Sequence, residues 1–392
     1  MTSPPAAEPP AAVPPAREPP AAEPEDPPLR VSTLELFFDL VFVFTITQLT
    51  TLLARNEVTL TGALKVVLVF GVLWWMYGAY AWLTNARTPS RTPERLLLLL
   101  GMAGFLIIGM TLPYAFSRRT DGIALGLGYL LVVAVHAGLY VRLNRSILRV
   151  VPFNASAAVL VILAGAIGGV AGYWLWACAL AVLVFSPLIV PQSRFRISPA
   201  HFVERHGAVI IIVLGESVAD IGLGAAGHPV TWTVLVCAVL GLVLAAVLWW
   251  TYFGVGDDER AEAAFNAAPE ESRPALALSA YFYAYVPMLL GIVALSAGIK
   301  VAMQHPGLTL PYRPCLALAG GMALFLGGDV LFRRALGIAP LRYRGIAAGV
   351  CLIALPVGVT LSAAVEIGLL AVIGAGALLL EGWSEPPDTV EP

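Results

Sequence analysis

Twelve apolar stretches of about 20 residues divide the chain between residues 34 and 382, and no other feature of the sequence constrains its fold as strongly. A helix rises 1.5 Å per residue, so roughly 20 such residues cross a ~30 Å hydrocarbon layer with their backbone polar groups paired internally. The segments are 34–54, 59–83, 95–116, 122–141, 148–169, 171–190, 203–223, 230–253, 275–299, 314–332, 345–362 and 364–382. They predict an all-α polytopic membrane helix bundle of about 12 transmembrane helices. No polar loop separates the last two segments, and Glu366 is read as marking the turn between them. Only 12% of the 392 residues are charged, about half the share usual in soluble domains. A net charge of -2 leaves no basic footprint for nucleic acid, so the partner expected first is the lipid bilayer.

Residues 1–30 form a Pro/Ala-rich tail, with eleven prolines among the first 28 residues. It has no apolar signal-peptide core and too little hydrophobic surface to fold, so it is expected to be disordered or polyproline-like. Residues 384–392 are a short C-terminal tail. The four cysteines, Cys178, Cys237, Cys315 and Cys351, lie in or beside apolar runs with no C-x-x-C pair, which reads as small packing residues.

Basic residues orient the bundle. With connections numbered from the N-terminal tail as zero, the even set carries 17 of the 23 Lys and Arg and the odd set 6. Cytoplasmic loops collect these residues, so both termini are expected on the cytoplasmic side of a bacterial inner membrane. Marks recur in order along the two halves. Leu73-Trp74-Trp75-Met76-Tyr77 and Leu248-Trp249-Trp250-Thr251-Tyr252 close spans two and eight, and Glu35 and Glu204 open spans one and seven. The expectation is a 6+6 parallel internal repeat, with residues 31–200 as the first six-helix unit and 201–383 as the second.

Acids at membrane depth are costly and need a partner, water or a proton. Glu35 and Asp39 are one helical turn apart in span one and share a face. Glu35 also suits the helix N-terminus, so capping or interhelical pairing competes with a functional reading. Span seven carries His201, Glu204, Arg205 and His206 at its start, then Glu216 and Asp220 four residues apart. Arg205 and Glu216 lie on one face but about 16 Å apart along the axis, so Glu216 needs another partner. Glu216 heads the candidate ion, proton or substrate site, followed by Asp39, Asp220 and Glu35. His201, Glu204, Arg205 and His206 form a candidate cytoplasmic polar cluster. His206 points about 140° away from His201, so one straight helix cannot aim that set at a metal ion, and no metal site is expected.

His136, within span four, is either a hydrogen-bonded interhelical residue or a proton relay. Asp329 and Arg333 are four apart near the end of span ten and read as a local ion pair. The acidic run 256–271 reads as a solvated loop. No Walker loop, dinucleotide fingerprint, nucleophile elbow or haem motif occurs, so neither catalysis nor a cofactor is expected.

Thr33-Leu34-Glu35-Leu36-Phe37-Phe38-Asp39-Leu40-Val41-Phe42-Val43, His201-Phe202-Val203-Glu204-Arg205-His206-Gly207 and Leu214-Gly215-Glu216-Ser217 resemble the bacterial low temperature requirement protein A family, across about residues 30–382. The resemblance implies a multi-pass bacterial inner-membrane protein named for growth at low temperature, and brings no settled biochemical activity with it. Phe38-Asp39 with Thr47 further along also resembles the Phe-Ser-Asp segment of a cation-channel family with six-span repeats, although Phe38 stands where that segment has Ser. A membrane-embedded enzyme ranks last for want of a catalytic motif, and three functions stand ahead of it. They are a secondary transporter for a small solute or ion using intramembrane carboxylates, a cation channel, and a non-transporting membrane scaffold or sensor. A homodimer is compatible with each.

Overall fold

The computed structural model describes residues 30–55, 58–87, 89–190, 197–226 and 229–384. The N-terminal tail through residue 29 and the stretch 385–392 lie outside the described residues, as do the sequence expectations attached to them. Among the described residues the protein is all-helical, with twelve helices in chain order. They are α1 (Thr33–Arg55), α2 (Leu60–Ala86), α3 (Thr92–Tyr114), α4 (Arg119–Tyr140), α5 (Val151–Ile167), α6 (Gly169–Ile189), α7 (Pro199–Ala225), α8 (Trp232–Ala267), α9 (Arg273–Gln304), α10 (Tyr312–Leu336), α11 (Arg342–Thr360) and α12 (Ala363–Ser384). Eleven are long and apolar enough to cross a membrane, and α5, at 17 residues, is shorter.

Each expected segment coincides with one helix. The joints follow local chemistry. Gly168 and Gly169 both adopt left-handed backbone angles, φ +66° and +59°, so α5 folds straight back into α6 without a loop. Between α11 and α12 the chain breaks at Leu361 and Ser362 rather than at Glu366, which is buried in the first turn of α12. A carboxyl did not set that boundary; the irregular backbone of Leu361 ends the helix.

α8 departs further from expectation. Its apolar part, Trp232–Trp249, runs through a π-helical stretch, Trp250–Gly254, into a polar helix, Asp257–Ala267. The acidic run is therefore helical in its first part, not a solvated loop. Gly256 at φ +71° turns the chain, and three acids occupy the first turn, where the helix dipole favours negative charge. Asp257, Ala261 and Phe265, at i, i+4 and i+8, form its buried face.

α2 and α9 are the most buried spans, and α6 and α11 sit at the rim. α1 packs on α2, α3, α7 and α9; α7 packs on α1, α2, α8 and α9. Trp74 of α2 donates its indole N–H to the Phe282 carbonyl of α9 at 3.2 Å, so the helices of the first half dock directly on those of the second. In lipid, helices associate through close packing more than through water exclusion. α9 and α10 show this best. A Cβ placed on Gly291 would lie 2.6 Å from the Phe325 backbone nitrogen, and one on Gly321 would lie 2.6 Å from that of Leu295. Gly291→Leu is expected to push the two helices apart and destabilise the protein by about 1–3 kcal/mol. A circular-dichroism melt in detergent checks this: helix content stays and the midpoint falls.

Candidate functional site

The opening and seventh helices meet through charges. Ser32, just ahead of α1, gives Glu35 Oε2 both its backbone N–H and its hydroxyl at 2.8 Å, so Glu35 closes the helix N-terminus as its position suggested. The other oxygen serves a second purpose. Arg205 of α7 donates Nη1 to Glu35 Oε1 at 2.6 Å and Nη2 to Asp39 Oδ1 at 3.1 Å. Nη1 also reaches Thr84 Oγ1 of α2 at 2.6 Å. Tyr77 of α2 donates its hydroxyl to Asp39 Oδ1 at 3.0 Å. His201 Nε2 lies 3.1 Å from Glu35 Oε1, and its Nδ1 lies 3.3 Å from the Asn85 side-chain amide. Asn85 is fixed by two further bonds with the backbone of Ser198.

Glu35, Asp39, His201 and Arg205 are all essentially inaccessible to solvent. The guanidinium also stands 5.6 Å from the Phe38 ring centroid and 5.8 Å from that of Tyr77. One guanidinium thus faces two carboxylates, and Asp39 Oδ2 has no hydrogen-bond partner among the described residues. Buried charges without full pairing are rare because desolvation is expensive.

A second charged contact lies towards the other end of α7. Lys300 of α9 donates to Asp220 Oδ1 at 2.8 Å and to Thr51 Oγ1 of α1 at 3.3 Å. Asp220 Oδ2 is buried and has no partner among the described residues. Ser217 of α7 and Ser296 of α9 share a hydrogen bond of 2.6 Å beside it. From Arg205 to Asp220 is fifteen residues, about 22 Å along the helix. α1 and α7 therefore meet through polar groups at two levels, joined by α2 at the first and by α9 at the second, with aromatic packing around Phe42, Trp74, His206 and Tyr285.

The remaining sequence candidates fall elsewhere. His206 is wedged among Phe202, Trp74, Tyr77, Tyr281 and Tyr285, with Nδ1 2.8 Å from the Phe202 carbonyl. Glu204 is exposed and accepts the Val31 N–H at 3.2 Å. Glu216 is half-buried, with no hydrogen bond or ion pair among the described residues, beside the exposed positions Gly215, Val218 and Ala219. His136 is buried against the Ala79 carbonyl at 3.1 Å. A groove of about 610 Å³, lined in part by Arg30, Glu204, Asp258, Glu259 and Glu262, opens beside α1 and α7.

The second half holds a larger charged cluster that the sequence reading missed. Arg344 of α11 donates Nη1 to Asp257 Oδ2 at 2.8 Å and to Asp329 Oδ2 at 2.6 Å, and Nε to Glu381 Oε2 at 2.9 Å. Arg333 of α10 grips both oxygens of Asp257, at 2.7 and 2.8 Å, and contacts Glu381 Oε1 at 2.7 Å. Asp329 and Arg333 are thus not the local pair their spacing predicts. Each turns to a charge on another helix, because Arg344 and Asp257 offer better-directed bonds than the neighbouring turn does. The i, i+4, i+8 pattern of Asp257, Ala261 and Phe265 was the available sequence signal, masked by the acidic residues around it. Arg344 and Glu381 open and close apolar segments and resemble ordinary interfacial residues, so no comparable signal marks them.

Residues 30–379 match the family described as bacterial low temperature requirement A protein. The chain is similar to an uncharacterized protein of Rhizobium meliloti, 29% identical over 338 residues, which cover 78% of this chain and 77% of the relative. No solved structure matches.

Proposed function

The chain belongs to the bacterial low temperature requirement A family, and from that premise we propose that it is a secondary transporter moving a small solute or ion across the inner membrane. The observation that carries this reading is the buried meeting of Glu35 and Asp39 on α1 with Arg205 and His201 on α7. One guanidinium shared by two carboxylates is a contact that an incoming cation or proton can rearrange, since either acid can exchange its partner. Asp39, with one oxygen unpartnered, is the first acceptor on this reading. Asp220 with Lys300 is the corresponding contact at the far level, so charge sites close both ends of the α1–α7 seam. Glu216 is the candidate whose partner is solvent, the transported species or a second chain. The acidic groove beside α1 and α7 would concentrate cations at one mouth.

The bundle is organised on this proposal as two parallel six-helix repeats, 31–200 and 201–383. Recurring helix pairs support it: α1–α3 and α7–α9, α2–α6 and α8–α12, α3–α4 and α9–α10, α5–α6 and α11–α12. Tyr77 and Tyr252, which close the matching Trp-Trp segments, are both fully buried, whereas Trp74 is buried and Trp249 exposed. With the shorter α5 counted as a crossing beside the eleven longer helices, 17 of the 23 basic residues fall on the even connections, which supports cytoplasmic termini.

Reconstitution tests the reading. Liposomes carrying the protein and an internal pH dye, given imposed proton and alkali-cation gradients, are expected to show ion movement above protein-free vesicles. Asp39→Asn, which keeps the side-chain shape, is expected to reduce it by about tenfold or more while elution and melting stay near wild type. Wild-type vesicles that move neither protons nor cations above the blank would overturn transport of those ions and favour the scaffold role.

A further inference from the structure

A cavity of about 50 Å³ lies between α2, α4, α5, α6 and the start of α9. It is on the opposite face of α2 from the charged centre. Trp75, Ala79 and Trp82, at i, i+4 and i+7, line the cavity, while Tyr77 is about 200° around the helix from Trp75. Its walls are aromatic. Trp75 and Trp82 come from α2, Tyr140 from α4 and Phe282 from α9, and both indole rings lie 5.4 Å from the Phe282 ring centroid.

The backbone is adapted around this space. Pro187 in α6 removes the N–H that would have met the Leu183 carbonyl, and Ser186 Oγ fills that gap at 2.8 Å. Phe282 sits in a π-helical stretch of α9, Leu278–Ala284, an irregularity often found at functional sites. His136 Nε2 is engaged with the Ala79 carbonyl. Asn154 of α5 is different. It is 2% exposed, it lines the cavity, and its Oδ1 has no hydrogen-bond partner among the described residues. A buried amide oxygen left this way calls for a donor.

We propose that this cavity binds a small organic ammonium ion, with the charge set against the aromatic faces and an N–H donated to Asn154 Oδ1. Ring faces carry negative quadrupole density and attract such cations, and Trp does so best. The space fits a few water-sized groups, which matches a ligand of a handful of heavy atoms. A hard metal ion would need several oxygen ligands at once, and among the described residues lining this wall Asn154 Oδ1 is the buried acceptor left without a partner, with no carboxylate beside it. An anion would gain no such attraction from the ring faces. Ile147 and Val150, on the α4–α5 connection, also line the cavity and put its rim towards that end of the bundle.

The test is an equilibrium titration in lipid nanodiscs, so it does not depend on the transport reading. Tryptophan fluorescence is followed as methylammonium chloride is added, with sodium chloride at equal ionic strength as reference. Wild type is expected to saturate. Asn154→Leu is expected to weaken the midpoint about tenfold, and Trp82→Leu, which leaves Asn154 in place, is expected to weaken it as well. Methanol, near in size but neutral, is expected to give no saturation in that range. Absence of saturation with methylammonium overturns the proposal. So does an unchanged midpoint in Trp82→Leu or in folded Asn154→Leu, and so does methanol saturating alongside methylammonium.

Discussion

Arg344→Ala protein is expected to fail to yield a monodisperse peak in detergent, or to melt far below wild type. Arg344 bonds three carboxylates from three helices, Asp257 of α8, Asp329 of α10 and Glu381 of α12. All three acids are buried, and Asp329 Oδ1 already lacks a partner among the described residues. Removing the guanidinium leaves Asp329 with no cation in bonding distance among the described residues, Glu381 with Arg333, and Asp257 with Arg333 and the more distant Arg260 at 3.9 Å. Breaking one buried pair from one side costs about 3–5 kcal/mol, and here three contacts go together. Arg344→Lys separates charge from geometry. It restores the positive charge but not the planar fork, so its melting midpoint should fall between the other two. A melting midpoint of Arg344→Ala within a few degrees of wild type would mean that water reaches the cluster and the pairing matters little.

Arg205→Met is expected to have the next largest effect, and it should strike stability and ion movement together. Met keeps the volume and removes the donors, leaving Glu35 with Ser32 and His201, and Asp39 with Tyr77. The loss should be about 3 kcal/mol. If unpaired charge is the cause, Arg205→Met combined with Asp39→Asn should melt above Arg205→Met alone, because the second change removes one stranded carboxylate. A double-mutant cycle of melting curves measures that coupling, expected at about 1–3 kcal/mol for groups in contact. Strict additivity would show that Asp39 and Arg205 do not communicate. A fully stable Arg205→Met protein would remove the charged centre from the account of how α1 and α7 hold together.

The sequence carried the helices but not the pairing between them. Span positions were legible because a run of apolar residues has one low-energy solution in a bilayer, whatever its neighbours do. Glu35 and Asp39 were legible as an interior face because their spacing alone puts them on one side of α1. Their partner was within reach too, since Arg205 stands in the polar start of α7. What the sequence could not carry is the rotation of one helix against another, which decides who meets whom. Asp329 and Arg333 looked like a pair by spacing, yet α11 brings Arg344 nearer to Asp329, and α8 brings Asp257 nearer to Arg333. Glu216 illustrates the same limit in reverse. Its depth in α7 marked it, but the helix turns it towards the half-exposed side of the bundle, while Asp220, four residues on, turns to Lys300.

The glycine contacts between α9 and α10 set a mechanical limit. With main chain resting on main chain at Gly291 and Gly321, no pliant side-chain cushion remains there for one rod to slide along the other. Any swing of this bundle must carry the two as a single lever. The yielding seams must then lie elsewhere, where bulky side chains leave room to change rotamer.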